Sequence, residues 1–200
     1  MVELGLGVTR SAAELMRLLL LLLFWTVGAS AQPNPALFEQ LREGGYVLYL
    51  RHASTDFSQN DSRMTSYEDC KTQRNLTDHG REEARMLGEH IKRLEIPIGE
   101  VLASPFCRTM ETARLAFGKA TATNQVRGGP ASNDAGRYDA LRKLLSSKVP
   151  KGENRVISSH GNPFYALAGA PYLAEGEMAV VRPQGDGRFS VIARIRLTDW

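Results

Sequence analysis

The order of elements along this chain predicts an α/β fold: a mostly parallel, doubly wound sheet with helices on both faces, built as a single domain. Three observations carry that expectation. Compact runs of β-formers, Tyr46–Leu50, Val101–Ala103 and Arg155–Ser159, read as buried strands. Between them lie segments whose apolar residues recur at three and four, the period of a helix packed along one side. The chain has 200 residues, 42% of them hydrophobic, enough for one core of ordinary domain size. No internal repeat and no second domain is visible.

Each element has its own signal. A first helix runs from about Pro35 to Arg42 and stops at Gly44-Gly45. Tyr46–Leu50 follows as the first strand. Residues 53–75 are polar and aperiodic and read as a long loop. Thr77-Asp78 then offers an N-cap, and Ala84, Leu87, Ile91 and Leu94 form one helical stripe, ended by Pro97 and Gly99. Val101–Ala103 is a short strand stopped by Ser104-Pro105. The next helix carries Met110, Ala113 and Phe117 on one face, with Gly118 past its end. Residues 119–136 are irregular. Tyr138, Leu141 and Leu144-Leu145 mark a third helix closed by Pro150. Arg155–Ser159 is the third strand, and Asn162–Gly169 a short helix. Met178–Val181 and Phe189–Ile195 close the chain as two strands around the turn Gln184–Gly187.

Residues 1–31 are read apart from the fold. Arg10 and Arg17 precede the apolar run Leu18–Val27, and Ala29-Ser30-Ala31 fits the small-x-small rule for cleavage before Gln32. The segment is expected to be a secretory signal peptide, leaving a domain over 32–200 that is periplasmic or secreted. Its apolar core is about 10 to 13 residues, short of the about 20 that span a bilayer, so no stable membrane anchor is expected after cleavage. The net charge is +3, with no basic run and no basic stripe interleaved with aromatics, which argues against a nucleic-acid partner. Cys70 and Cys107 are the two cysteines. In an oxidising compartment they can bridge, tying the loop of Cys70 to Arg108; the other reading is two buried free thiols.

The chemistry lies in three separated pieces: Arg51-His52, Arg108 within SPFCRTMETA, and His160 within ISSHGN. Each follows a strand, and strand ends of a parallel sheet share one edge, where ligands bind. Two guanidiniums and two imidazoles gathered there make a cationic pocket suited to a phosphate group. Arg51 and Arg108 can fork onto phosphate oxygens, His160 can add a donor, and His52 can attack phosphorus through a neutral ring nitrogen. The arginines supply the positive charge, so neither a metal nor a cofactor is expected. The four histidines show no close ligand pair. His79 and His90 read as surface residues.

RHASTD after a strand, SPFCRTMETA and SSHGN together resemble the histidine phosphatase superfamily, whose phosphoglycerate mutase-like members carry such motifs in this order. NLTDHGREEAR is similar to that family's L-(T/S)-x-x-G-x-x-Q/E-A helix start. The resemblance covers Tyr46 to about Ala168. It implies a doubly wound α/β fold, His52 as the phosphorylated residue, and Arg51, Arg108 and His160 as the phosphate pocket. The chain departs from the best-known pattern after the Arg-His pair, where Thr55 and Asp56 stand instead of a glutamate. The acid that protonates the leaving oxygen is therefore sought elsewhere, with Glu177 ranked ahead of Glu175 and Asp134. Thr55, Ser104 and Asn162 are candidates to line the pocket, or else cap helices and turns. Arg74 either aids substrate binding or forms a structural salt bridge. The expected activity is hydrolysis of small phosphomonoesters through a phosphohistidine. The alternative is a weak or inactive phosphate-binding module of the same fold.

Overall fold

Strand β1 (Val47–Arg51) lies inside the sheet, and its pleat sorts the core into two halves. Leu48 and Leu50 join one buried cluster; Val47 and Tyr49 join the other. Being buried on both faces, β1 carries no polar residue until Arg51. The computed structural model describes residues 35–128 and 136–200; the expected signal segment 1–31 lies outside the described residues.

The remaining elements are α1 (Pro35–Glu43), α2 (Asp78–Arg93), β2 (Ile98–Ala103), α3 (Cys107–Phe117), β3 (Thr121–Ala122), α4 (Asp139–Ser146), β4 (Asn154–Ser159), α5 (Gly161–Ala168), β5 (Met178–Gly185) and β6 (Arg188–Ile195). The sheet order is β3-β2-β4-β1-β5-β6. The first four are mutually parallel, β5 runs antiparallel to β1, and β6 antiparallel to β5. The mostly parallel, doubly wound α/β sheet is thus present, extended on one side by a hairpin. Helices α1, α2 and α3 cover one face through Leu41, Leu87, Ile91 and Ala113. Helices α4 and α5 cover the other through Leu141, Leu145 and Phe164. Burying side chains of this kind stabilises the fold by about 1.5–3 kcal/mol each.

Several boundaries differ from expectation. Helix α2 stops at Arg93 and the chain turns at Glu95 (φ 54°), before Pro97. Gly99 lies inside β2, where a Cβ would fall 2.3 Å from the Glu153 carboxylate. Strand β5 runs past Val181 through Pro183, which is tolerated because the pairing with β1 ends at Val181. Within 119–136, Thr121–Ala122 adds a short strand at the sheet edge. The loop 53–75 holds one 3₁₀ turn, Cys70–Thr72, and its cysteine is bonded to Cys107 with the Cα atoms 5.7 Å apart.

Candidate active site

Backbone hydrogen bonds bring the strand ends to one place. The amide of His52 donates to the Ser159 carbonyl at 3.0 Å, and that of Ser104 to Ser158 at 2.9 Å. The Arg51 amide donates to the Glu177 carbonyl at 3.1 Å, and Gly176 to His52 at 2.9 Å. Because β5 is antiparallel, its first residues share the edge at which the parallel strands finish. The loop before β5 therefore arrives beside His52.

His52 is buried and follows β1; His160 is buried and occupies the N-cap position of α5. Their rings meet edge to face with centroids 5.5 Å apart. The Nδ1–H of His52 donates to the Ala53 carbonyl at 3.0 Å, since a carbonyl can only accept. A neutral His52 therefore keeps its lone pair on Nε2. Burial, then the guanidiniums of Arg108, Arg51 and Arg74, hold His52 well below the ordinary imidazole value. Burial, the His52 ring and the same arginines do likewise for His160. The Ser104 hydroxyl lies 2.9 Å from His160 Nε2, and the Phe106 ring abuts the imidazole at 5.0 Å.

Three guanidiniums share one habit. Arg51 donates Nη1 to the Leu173 carbonyl at 2.7 Å and Nη2 to Glu175 at 3.2 Å. Arg108 donates both Nη atoms to the Asp61 carboxylate at 3.0 Å and lies over the Phe106 ring. Arg74 brings Nη2 to 3.9 Å from Glu175. In all three the Nε atom is buried without a hydrogen-bond partner, and no other buried side-chain nitrogen or oxygen among the described residues is so left. Buried donors of this kind are costly unless something accepts from them. A tetrahedral oxyanion is such an acceptor.

The motifs around these residues act as supports. Thr77 caps α2 by accepting from the Gly80 amide at 2.9 Å, and Glu83 on the same helix accepts from Ser54 N–H at 3.0 Å. Thr112 of α3 accepts from the Ala53 amide at 3.1 Å. The segments 77–83 and 107–113 thus hold the turn that follows His52.

Glu175, not Glu177, carries the carboxylate of the pocket. Glu177 turns its carboxylate to the amide of Ala174 at 2.7 Å, closing the turn before β5, while its backbone pairs with Arg51. Glu175 accepts from Thr55 N–H at 2.9 Å and Thr55 Oγ1 at 2.8 Å, and lies 4.0 Å from His52 Nδ1. Thr55 and Ser104, expected to line the pocket, instead hold Glu175 and His160. Asn162 is exposed at its mouth and accepts from the Tyr172 hydroxyl. Asp134 lies outside the described residues. His79 is exposed, as expected, whereas His90 is half-buried with its ring stacked 6.3 Å from that of Trp200. Asp61 and Phe106 escaped sequence reasoning: Asp61 sits in an aperiodic loop, and Phe106 reads as a core residue. A larger groove of about 1060 Å³ runs beside the disulfide, lined by Cys107, Met110 and Leu115, and includes none of the pocket's histidines or arginines.

Residues 47–144 match the model of the histidine phosphatase superfamily, branch 1. An acid phosphatase of Mycobacterium tuberculosis is 35% identical over 118 residues, 58% of this chain and 53% of that protein, so the chain spans about half the length of that relative. Among solved structures, the protein histidine phosphatase SixA complexed with tungstate superposes with a TM-score of 0.54 at 20% identity, covering 77% of this chain and 98% of the other. A phosphoserine phosphatase of Entamoeba histolytica in complex with phosphoserine gives 0.52 at 13% identity, covering 77% and 98%. A phosphoglycerate mutase of Thermus thermophilus gives 0.52 at 16%, covering 75% and 98%. These structures share the fold. With the family's motifs on the strand ends that it requires of them, the chain belongs to the histidine phosphatase superfamily.

Proposed function

We propose that this protein is a phosphatase that hydrolyses small phosphomonoesters through a phosphohistidine on His52. One observation carries the reading: a neutral His52 with its lone pair on Nε2 stands against His160 and within the field of the Arg51, Arg74 and Arg108 guanidiniums. In the first step Nε2 forms a bond to phosphorus, and the bond from phosphorus to the leaving oxygen breaks, its electron pair staying on that oxygen. The Glu175 carboxyl gives its proton there. In the second step water bonds to phosphorus and passes a proton to the Glu175 carboxylate. The nitrogen–phosphorus bond breaks and inorganic phosphate leaves. Arg51, Arg74 and Arg108 spread the charge of the transferring group, which is most of what such a transfer asks of a protein. His160, oriented by Ser104, completes the pocket.

The natural partner on this reading is a small phosphorylated molecule, and the working compartment is outside the cytoplasm. The disulfide supports the second point, because such bonds persist where the surroundings oxidise. The relative named acid phosphatase supports hydrolysis over phosphoryl exchange between metabolites.

The test uses protein from Gln32 onward and p-nitrophenyl phosphate between about pH 5 and 8, with and without chelator. Turnover is expected to resist chelation and to vanish in His52→Ala. Glu175→Gln is expected to lower kcat about 10²-fold or more on an alkyl phosphate, whose leaving group needs a proton, and far less on p-nitrophenyl phosphate. Equal losses on both would remove Glu175 as the acid. Vanadate binding without turnover in the wild type would instead favour the inactive binding module.

A further inference from the structure

Apolar side chains rim this charged pocket. Four large hydrophobic side chains among the described residues are exposed: Phe57, Met86, Tyr165 and Tyr172. Two of the four stand against pocket arginines, and a third packs on one of those two. Phe57, 73% exposed, stands 4.9 Å from the Arg74 guanidinium. Tyr172 stands 5.3 Å from that of Arg51, and its ring centroid is 5.7 Å from that of Tyr165. Both guanidiniums approach the same atom, Glu175 Oε1, at 3.2 Å from Arg51 and 3.9 Å from Arg74. The contacts therefore run Phe57, Arg74, Glu175, Arg51, Tyr172, with the carboxylate in the middle and an aromatic ring at each end.

Tyr172 is fixed in this place. Its hydroxyl donates to Asn162 Oδ1, and its ring rests on Gly161, where a Cβ would lie 2.2 Å from a ring carbon. The glycine that follows His160 thus makes room for an aromatic wall at the pocket. Phe57 has no such burial and keeps most of its surface in water.

On the proposed role of Glu175 the leaving oxygen must reach that carboxylate, and the group bonded to it then lies near aromatic surface on either flank, Phe57 beyond Arg74 and Tyr172 beyond Arg51. Flat rings favour flat guests, which stack or meet edge to face. We propose that the enzyme selects phosphate esters of aryl alcohols, with the ester's ring packing on the aromatic rim that Phe57 and Tyr172 form beside the pocket arginines. This inference rests on the phosphatase reading above and on Glu175 as its acid.

The experiment separates flatness from greasiness, and binding from turnover. Benzylphosphonate is the methylene counterpart of phenyl phosphate and cannot be hydrolysed; cyclohexylmethylphosphonate has the same phosphonate and a similar bulk but no flat face. Affinities are read by titration calorimetry on the full-length mature protein. Benzylphosphonate is expected to bind at least tenfold more tightly. That ratio should fall to within twofold of unity in Phe57→Ala and in Tyr172→Ala, and should persist in Tyr172→Phe. Inorganic phosphate affinity should change less than threefold in all three. A wild-type ratio below two, or a ratio unaltered by both alanine variants, overturns aryl selection and leaves the phosphatase reading standing. Absence of His52-dependent turnover would strike at that reading instead, while the phosphonate ratio would still report whether a ring is recognised.

Discussion

His52 and His160 illustrate how a buried imidazole serves chemistry at a cost to stability. Burial and neighbouring arginines keep both neutral well below the usual range. Unfolded, each takes up a proton as the pH falls through about 6.5; folded, each resists until a lower pH. Stability is therefore full above that value and declines below it, by up to about 1.4 kcal/mol per pH unit for each histidine. Denaturant midpoints taken from pH 7 down to 5 should fall, and His160→Asn should flatten the decline. Parallel slopes for the two proteins would refute this assignment. The residues that the sequence made legible, Arg51, His52, Arg108 and His160, sit at fixed offsets from strand ends. Glu175, Asp61 and Phe57 sit in loops, where no periodicity ties a number to a place. Glu177 directly precedes β5, and one oxygen of its carboxylate accepts from the Ala174 amide of its own turn.

At the level of elements, α2 is more than a layer of the core. Its first turn presses on the segment after His52 so closely that a Cβ on Gly80 would fall 2.1 Å from the Ser54 carbonyl oxygen. Neither backbone can yield without shifting the other. Gly80→Ala should cost about 1–3 kcal/mol in chemical denaturation and also depress kcat/KM, because Ser54 lies two residues beyond His52. Gly118→Ala supplies the contrast. That glycine ends α3 at φ 71° with open space around it, so about 1–2 kcal/mol should be lost while kcat/KM holds. Equal kinetic damage from both would show that Gly80 acts through general stability alone. The helices and buried strands were legible because their periods were strong. Boundaries such as Gly99 and Pro183 were not, since pairing partners far along the chain decide where a strand begins and ends.

For the molecule as a whole, the disulfide joins the loop that carries Asp61 and Arg74 to the start of α3, which carries Arg108. With its cysteines 37 positions apart, the crosslink should stabilise the fold by about 3–4 kcal/mol through the unfolded chain. The double variant Cys70→Ser/Cys107→Ser should lose that amount in urea unfolding, and its KM for p-nitrophenyl phosphate should rise more than its kcat falls. An unchanged midpoint would deny the bond any role in stability. The sheet order adds a long-range constraint. Glu175 and Arg51 are 124 positions apart, and the pairing of β5 with β1 brings them together. The proposed acid is therefore held in place by a pairing between distant parts of the chain, and it is lost with the docking of β5 on β1 rather than with any neighbouring residue.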